Sequence, residues 1–386
     1  MDSPLRERAL LPTGLHDLLP PDAEREAALI ERAMGVFAAH GYERVKPPLV
    51  EFEESLVLGM GKPWARQTFR LLDPDSQRMM GVRADMTLQV ARIASTRLAG
   101  APRPLRLCYA GEVLRVGGGK LSTARQLRQI GCELIGSLEP AADAELVLLA
   151  AGALETLGVA GLSIDLNLPT MVPAILGDHR VDAATEERVA AGLSRRDAAA
   201  IKAEPEIGAL LADLLDLAGP AERAIAKLSA LDLPRSAEPD RARLIETVKG
   251  IRAAAPALTL TVDAVERQGF EYQTGLSFTI FAKGARRELG RGGRYRIGAL
   301  ETSAGEPAIG FSLFADAVVA AIPAGAAARR VYVPANIPAA AKARLREAGW
   351  VTVAGLAPAA DGEAEARRLQ CAYLLEPGSV DPRPLG

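Results

Sequence analysis

The stretch LRLCYAGEVLRVGGGKLSTARQLRQIGCELIG, Leu105 to Gly136, contains two strand-like runs that flank a glycine-rich loop. A phosphate-binding P-loop requires the pattern G-x-x-x-x-G-K-[ST]. Here Leu121 follows Lys120, and no earlier glycine has the required spacing. The segment Gly117–Lys120 is therefore not a P-loop, and the two runs predict a pair of strands joined by a loop of another kind.

The segments around this pair predict a fold that mixes helices with an antiparallel sheet. Ile30, Ala33, Met34 and Phe37 recur at i, i+3, i+4 and i+7 and predict an amphipathic helix that ends at Gly41. Residues 68–87 predict a β-hairpin, with its turn at residues 73–76. Because strand–helix–strand alternations are few, the order predicts an α+β fold, an antiparallel sheet flanked by helices.

Changes in composition along the chain divide it into four segments. Residues 1–167 form the first part of the predicted core, and the charged, alanine-rich residues 168–257 are interpreted as a helical insertion. Strand character returns in residues 258–322, where ELGRGGRYRIG (residues 288–298) favours a glycine-rich hairpin. Residues 328–386 alternate between strand and helix patterns and predict a small, truncated α/β segment.

The net charge and the residue composition restrict the class of protein. A net charge of −2 over 386 residues gives no general attraction to nucleic acid. Three cysteines, far apart along the chain, favour a reducing compartment and neither a disulfide framework nor a metal cluster, and three histidines make a histidine-rich metal site improbable. No apolar stretch approaches the roughly 20 residues of a spanning helix. We therefore expect a cytoplasmic protein without metal, cofactor, membrane or nucleic-acid partner.

Candidate binding residues lie on the second strand-like run and just after the first. Strand alternation places Gln129, Gly131 and Glu133 on one face, where the glycine leaves room for a ligand. Arg115 adds a cation from the end of the partner strand. The alternative is an ordinary solvent-facing strand. In VRADMTLQ, Asp85 and Thr87 either hold an ammonium or hydroxyl group or cap the following helix.

From Leu11 to about Ala321 the chain resembles histidyl-tRNA synthetase, a class II aminoacyl-tRNA synthetase. PTGLHDLLP resembles its opening signature, HGYERVKPPLVE its motif 1, and IGFSLFADAV its motif 3, while the stretch from residue 114 to 131 resembles motif 2. VRADMT and GFEYQTGLSFTIF resemble its histidine-binding segments. The resemblance implies contacts with the ammonium group, the carboxylate and the imidazole ring of a bound histidine. The implied histidine-binding residues are Asp85, Thr87, Arg115, Gln129, Glu133, Tyr272 and Tyr295.

This chain differs from the synthetases at positions that bind the nucleotide in that family. Gly117 stands where the synthetases have a glutamate, and Thr123, Gln268 and Ala317 stand where they have arginines. Losing one electrostatic contact to a developing charge typically costs about 2.7–4 kcal/mol of transition-state stabilisation. The resemblance therefore implies that the amino-acid site persists, that the nucleotide site is lost, and that no residue of this chain is catalytic.

A paralogue of the synthetases with this combination is the regulatory subunit of ATP phosphoribosyltransferase, which the chain also resembles. That family implies a non-catalytic subunit of the first enzyme of histidine biosynthesis, which binds L-histidine and confers feedback control on a short catalytic subunit. It further implies a homodimeric core within a hetero-oligomer. The alternatives are an active histidyl-tRNA synthetase and an unrelated amino-acid ligase of the same fold, and both require ATP chemistry.

Overall fold

The computed structural model describes residues 10–57, 67–117, 123–266, 273–298, 305–323 and 328–385. The chain divides into two compact units, Met1–Ile322 and Pro323–Gly386. The finer division of the first unit, at residues 167 and 257, remains a prediction.

Helices and strands alternate irregularly in the first unit and regularly in the second. The helices are α1 (Asp22–Ala39), α2 (Glu53–Val57), α3 (Thr87–Thr96), α4 (Pro140–Leu157), α5 (Met171–Asp178), α6 (Ala183–Ser194), α7 (Ala198–Lys202), α8 (Gly208–Asp216), α9 (Ala221–Ala230), α10 (Glu238–Ala254), α11 (Ala315–Ala321), α12 (Ala339–Glu347) and α13 (Gly362–Arg368). The strands are β1 (Glu43–Arg44), β2 (Val50–Phe52), β3 (Phe69–Leu72), β4 (Met79–Val82), β5 (Leu105–Leu114), β6 (Gln126–Ile135), β7 (Leu162–Asn167), β8 (Gly219–Pro220), β9 (Thr259–Asp263), β10 (Ser277–Ala282), β11 (Gly290–Ile297), β12 (Glu306–Phe314), β13 (Arg330–Val333), β14 (Val351–Ala354), β15 (Tyr373–Leu374) and β16 (Arg383–Pro384).

A nine-stranded sheet forms the centre of the first unit, in the order β1-β5-β6-β12-β11-β10-β7-β9-β8. The six strands from β5 to β7 in this order pair antiparallel, as predicted. Parallel pairs lie on either side of them, β1 with β5 and β7 with β9, which the sequence analysis did not predict. The predicted hairpin is confirmed as β3 and β4, which join β2 in a separate three-stranded sheet.

One face of the large sheet is covered by an apolar core. The predicted stripe on α1 is buried, and Phe37 is fully inaccessible and lies edge-on to the ring of Phe311 on β12. Helix α4 is buried along most of its length. It begins with Pro140 in its first turn and ends at Gly158, whose φ of 97° is a left-handed conformation that glycine adopts without strain.

A buried ion pair joins α4 to strand β11. The Nε of Arg294 donates to Oδ1 of Asp143 at 2.6 Å, and its two terminal nitrogens donate to the carbonyl oxygens of Ser137 and Glu139 at 2.8 and 2.9 Å. Arg243 donates to the other carboxylate oxygen at 2.9 Å. Because Asp143 is fully buried, these partners are needed to offset the desolvation of its charge.

The segment ELGRGGRYRIG is not a hairpin, and that interpretation was wrong. Residues Gly290–Ile297 of the segment form the single strand β11 between β10 and β12. Its glycines allow close approach rather than a turn, since a Cβ atom on Gly292 would collide with the ring of Phe278 and with the carbonyl oxygen of Gly310.

Two of the cysteines that are far apart in sequence are neighbours in space. Cys108 on β5 lies directly opposite Cys132 on β6, and both are buried free thiols. Burial raises the pKa of both thiols, so they behave as small apolar side chains of the core.

The second unit contains a four-stranded sheet in the order β14-β13-β15-β16, together with α12 and α13. Strand β13 pairs parallel with both β14 and β15. Its core contains Val331, Val333 and Leu345. Across the described parts of both units, no helix has the length and apolar character needed to cross a membrane.

Candidate functional site

The face of the large sheet opposite the helical core is polar at its centre. In antiparallel pairs, directly opposed residues share a face. Tyr109, Gly131 and Ser312 form one such row across β5, β6 and β12, and Glu133, Gly310 and Gly293 form the next row across β6, β12 and β11. The space above Gly131 is filled by the ring of Tyr109, and the space above Gly310 by the carboxylate of Glu133. The glycines thus let polar side chains lie flat on the sheet, which forms the bottom of a site.

Glu133 is the most deeply buried acid of this face, with 1% of its surface exposed. Its Oε1 accepts a hydrogen bond from the hydroxyl of Tyr109 at 3.1 Å, and its Oε2 accepts one from Tyr295 at 2.8 Å. Burial raises the pKa of Glu133 to about 8, although both tyrosine hydrogen bonds oppose the rise. A carboxylate has about four acceptor positions, so this one keeps capacity for a ligand.

Gln129 connects the sheet to the start of helix α3. Its Oε1 accepts from the backbone N–H of Met86 at 2.9 Å, and its Nε2 donates to Asp85 at 3.0 Å and to Ser312 at 2.6 Å. The hydroxyls of Ser312 and Tyr109 are 3.1 Å apart, which extends the network to Glu133. Gln129 thus acts mainly by holding other side chains in place.

Asp85 fits the interpretation that it supports the start of the following helix, while its contact with an ammonium or hydroxyl group stays a prediction. Its Oδ1 accepts from the backbone N–H of Thr87, the first residue of α3, at 2.8 Å. Its Oδ2 is held by Gln129 and faces the polar network. The hydroxyl of Thr87 lies 3.3 Å from that of Tyr109. The carboxylate therefore supports the helix and presents negative charge to the site.

These side chains surround a cavity of about 120 Å³. This volume is well above the roughly 10–15 Å³ that a single water requires, so the cavity has room for a small molecule. Arg115 enters from the end of β5, where its Nε donates to the carbonyl oxygen of Ala84 at 3.3 Å. The cavity is lined by Asp85, Thr87, Arg115, Glu133, Glu288, Arg291, Gly292, Gly293, Tyr295, Gly310, Phe311, Ser312 and Phe314.

Comparison with known proteins assigns this arrangement to a family. Residues 14–318 match the family model described as histidyl-tRNA synthetase. An ATP phosphoribosyltransferase regulatory subunit of Rhodospirillum centenum is 57% identical over 373 residues, which cover 96% of each chain. The chain belongs to the ATP phosphoribosyltransferase regulatory subunit family.

Solved structures of related proteins share the fold. A Bacillus halodurans protein described as an ATP phosphoribosyltransferase regulatory subunit/histidyl-tRNA synthetase has a TM-score of 0.80 at 23% identity, covering 93% of this chain and 96% of that one. The ATP phosphoribosyl transferase (HisG:HisZ) complex from Thermotoga maritima has a TM-score of 0.58 at 17% identity, covering 75% of this chain and 97% of that one. The class II synthetase-like α+β fold predicted for this regulatory-subunit family member is confirmed.

In this family member, most of the predicted histidine-binding residues come together. Asp85, Thr87, Arg115, Glu133 and Tyr295 line one cavity, and Gln129 lies directly behind it. Tyr272 lies outside the described residues, so its place in the site stays a prediction.

Of the positions predicted to have lost nucleotide contacts, the three that the structure describes are not part of the lining. Gly117 and Thr123 are exposed beyond the ends of β5 and β6. Ala317 on α11 is 5% exposed and belongs to the apolar core. Gln268 falls outside the described residues. None of the three described positions carries a charged side chain.

Sequence reasoning missed Tyr109, Ser312 and Gly310. Tyr109 and Ser312 complete the hydrogen-bond network around Glu133, and Gly310 provides the space for its carboxylate. The sequence feature that could have indicated Tyr109 is Gly131, which lies opposite it and leaves room for its ring. Within the described residues no group of three or more potential metal ligands is present.

Proposed function

We propose that this regulatory-subunit family member binds L-histidine in the Glu133 cavity and transmits its presence to a short ATP phosphoribosyltransferase catalytic subunit. In this proposal the chain is non-catalytic and confers feedback control on the first step of histidine biosynthesis. The observation that carries it is the buried carboxylate of Glu133, held by two tyrosine hydroxyls at the floor of a small polar cavity. In its ionised form this group is suited to accept an N–H of an imidazole ring, and that hydrogen bond in turn favours the ionised form.

The remaining cavity residues match the two ends of an amino acid. Asp85, together with the hydroxyl of Thr87, offers acceptors for an α-ammonium group. Arg115 offers a guanidinium for the α-carboxylate, and a planar guanidinium suits that geometry. Tyr295 packs beside Glu133, where it positions both the Glu133 carboxylate and the imidazole ring of the ligand.

The residues present do not favour adenylation. Adenylation develops charge on phosphate oxygens, which requires fixed cations and donors. Gly117, Thr123 and Ala317 supply none, and Ala317 is packed into the core. Arg291 lines the cavity, but its guanidinium contacts the carboxylate of Glu288, which offsets its charge. We infer that the chain has no synthetase activity.

The partners in this proposal follow from the family. The relatives are named regulatory subunits, and one structural neighbour is a two-component ATP phosphoribosyl transferase complex. We propose that this chain assembles with a short catalytic subunit around a homodimeric core of its own, in the cytoplasm.

Calorimetric titration of the purified protein with histidine tests the proposal, with Glu133→Ala as the matched control. We expect micromolar binding by the wild type, greatly weakened binding by the variant, and no effect of ATP and magnesium. Absence of histidine binding would contradict the proposed ligand. Binding of ATP that cooperates with histidine would instead support an active synthetase.

A further inference from the structure

The lining of the cavity includes an ion pair that the contacts proposed for histidine do not use. Glu288 and Arg291 both line the cavity, and the guanidinium of Arg291 contacts the Glu288 carboxylate. Their side chains are 24% and 35% exposed, so the pair lies where the cavity opens and not in the core. A carboxylate of the protein itself therefore occupies a cation of the proposed binding site.

Strand pairing directs Arg291 toward the cavity. Arg291 on β11 lies directly opposite Ser312 on β12. Directly opposed residues of an antiparallel pair share a face, and the hydroxyl of Ser312 belongs to the hydrogen-bond network around Gln129 and Tyr109. The Arg291 side chain therefore extends over the same face of the sheet as the groups that form the site.

Arg115 brings a second cation to this part of the cavity. Its guanidinium carbon lies 6.0 Å from the centre of the Phe314 ring, and Phe314 lines the cavity together with both arginines. The strand order β5-β6-β12-β11 places β12, which ends at Phe314, between the strands that carry the two arginines. Arg115 and Arg291 thus approach the end of β12 from opposite sides.

The charge of Glu288 bears directly on a ligand with a carboxylate. Arg115 offers its guanidinium to the α-carboxylate in the proposed function, and Glu288 adds a negative charge to the same cavity. Two like charges at close range repel each other, so Glu288 opposes the ligand carboxylate. Arg291 offsets this repulsion, but its guanidinium becomes available to the ligand only when Glu288 releases it.

We propose that Glu288 is an internal competitor for the carboxylate of the ligand. In the unliganded protein Glu288 holds Arg291. When histidine binds, its α-carboxylate takes the place of the Glu288 carboxylate on the guanidinium, and Glu288 turns toward solvent. This carboxylate exchange rests on the proposed function and makes it more specific. One exchangeable cation matches a single negative charge, so the ligand class is an amino acid with a free α-carboxylate.

The exchange costs little because one carboxylate replaces another. A planar guanidinium binds either group through a pair of N–H donors. A partly exposed ion pair contributes little to folding stability, so the fold tolerates its loss. The preceding residue, Arg287, contacts Asp316 in the first turn of α11 and holds the segment before β11 while Glu288 moves.

Glu288→Gln tests the competition, with histidine and histidine amide as the two ligands. The variant keeps the size of the side chain and removes its negative charge. Calorimetry should show that histidine binds about three- to tenfold more tightly than to the wild type, because the competitor is gone. Histidine amide has no carboxylate and should gain no affinity. A merely structural role of Glu288 would not make its replacement strengthen binding.

Arg291→Gln provides the complementary measurement. Histidine should bind this variant about tenfold more weakly, because a charge-assisted hydrogen bond to its carboxylate is lost. Binding of histidine amide should not weaken. The preference for the acid over the amide should therefore rise in Glu288→Gln and fall in Arg291→Gln.

The chain offers a matched control for the change of charge. Glu238 pairs with Arg241 at the same spacing of three residues, and neither residue lines the cavity. Glu238→Gln changes the net charge by the same amount and should leave histidine affinity at the wild-type value. Equal gains in Glu238→Gln and Glu288→Gln would reduce the effect to net charge and overturn the exchange.

The remaining outcomes separate this inference from the proposed function. The midpoint of thermal unfolding shows whether each variant is folded. Histidine affinity at or below the wild-type value in folded Glu288→Gln would overturn the carboxylate exchange and leave the proposed function intact. Failure of the wild type to bind histidine would overturn both.

Discussion

Glu133 and Gly310 lie directly opposite each other on β6 and β12, and the Glu133 carboxylate fills the space that a side chain at position 310 would need. The most polar group of the cavity thus depends on the absence of a methyl group on the neighbouring strand. This relationship links the local sequence of β12 to the position of the acid on β6.

Gly310→Ala should displace the Glu133 carboxylate and break its hydrogen bonds to Tyr109 and Tyr295. We expect a loss of about 1–3 kcal/mol in the free energy of unfolding, the usual cost of overpacking, and a loss of histidine binding. Gly152→Ala in α4 is the control, since among the described residues no atom lies within 4 Å of its added Cβ. Helix propensity predicts that this control is neutral or stabilising by up to about 1 kcal/mol. Equal effects of the two changes would contradict the argument.

Stability should depend on pH through Glu133. Its folded-state pKa of about 8 lies above the ordinary value of 4.5, so the folded protein retains a proton that the unfolded chain releases. The contribution is fully present below about pH 4.5 and is lost as the pH rises through about 8, with a slope of at most about 1.4 kcal/mol per pH unit.

Glu133→Gln replaces the protonated acid with a group that does not titrate. Denaturant unfolding at pH 6 and pH 8.5 should show a smaller difference between the two pH values in the variant than in the wild type. An unchanged difference would mean that Glu133 is already ionised at pH 6.

Asp143→Asn should strongly destabilise the first unit because it leaves the charge of Arg294 buried beside a neutral partner. Breaking a buried pair in this way costs about 3–5 kcal/mol. Lys249→Ala, which removes an exposed pair with Glu246, should change the free energy of unfolding by less than about 0.5 kcal/mol. Denaturant titrations of the two variants provide the comparison, and a similar small effect for both would refute a structural role for the Asp143–Arg294 pair.

Glu133→Ala should abolish histidine inhibition of the assembled ATP phosphoribosyltransferase while leaving assembly intact. The reason is that the side chain lies in the cavity and is 1% exposed, so it is not available on a surface for subunit contacts. Size-exclusion chromatography measures assembly, and activity with increasing histidine measures inhibition. Retained inhibition would remove Glu133 from the effector site.

Local sequence patterns predicted the elements that depend on neighbours in the chain. The apolar stripe of α1, the two long strands β5 and β6, and the pairing of Gln129 with Glu133 on one face follow from periodicity. Local sequence also indicated Asp85, Thr87 and Arg115, and the family resemblance added Tyr295. All four line the same cavity.

The remaining features depend on register between strands distant in sequence. Tyr109 meets Ser312 only because β5, β6 and β12 are adjacent, and Cys108 meets Cys132 for the same reason. The glycines of β11 led to the wrong prediction of a hairpin, because local sequence does not distinguish a turn glycine from one that accommodates a neighbouring strand. No local pattern specifies which strands become neighbours.

Strand β11 assigns its alternate residues to two different tasks. Tyr295 faces Glu133, while the next residue toward the N-terminus, Arg294, faces Asp143 on the opposite side of the sheet. Inserting or deleting a single residue within this strand would exchange the two faces, placing the guanidinium in the cavity and the phenol in the apolar core. Evolution can therefore vary this strand by substitution but not by a change of length, and lineages that retain effector control should carry β11 without gaps.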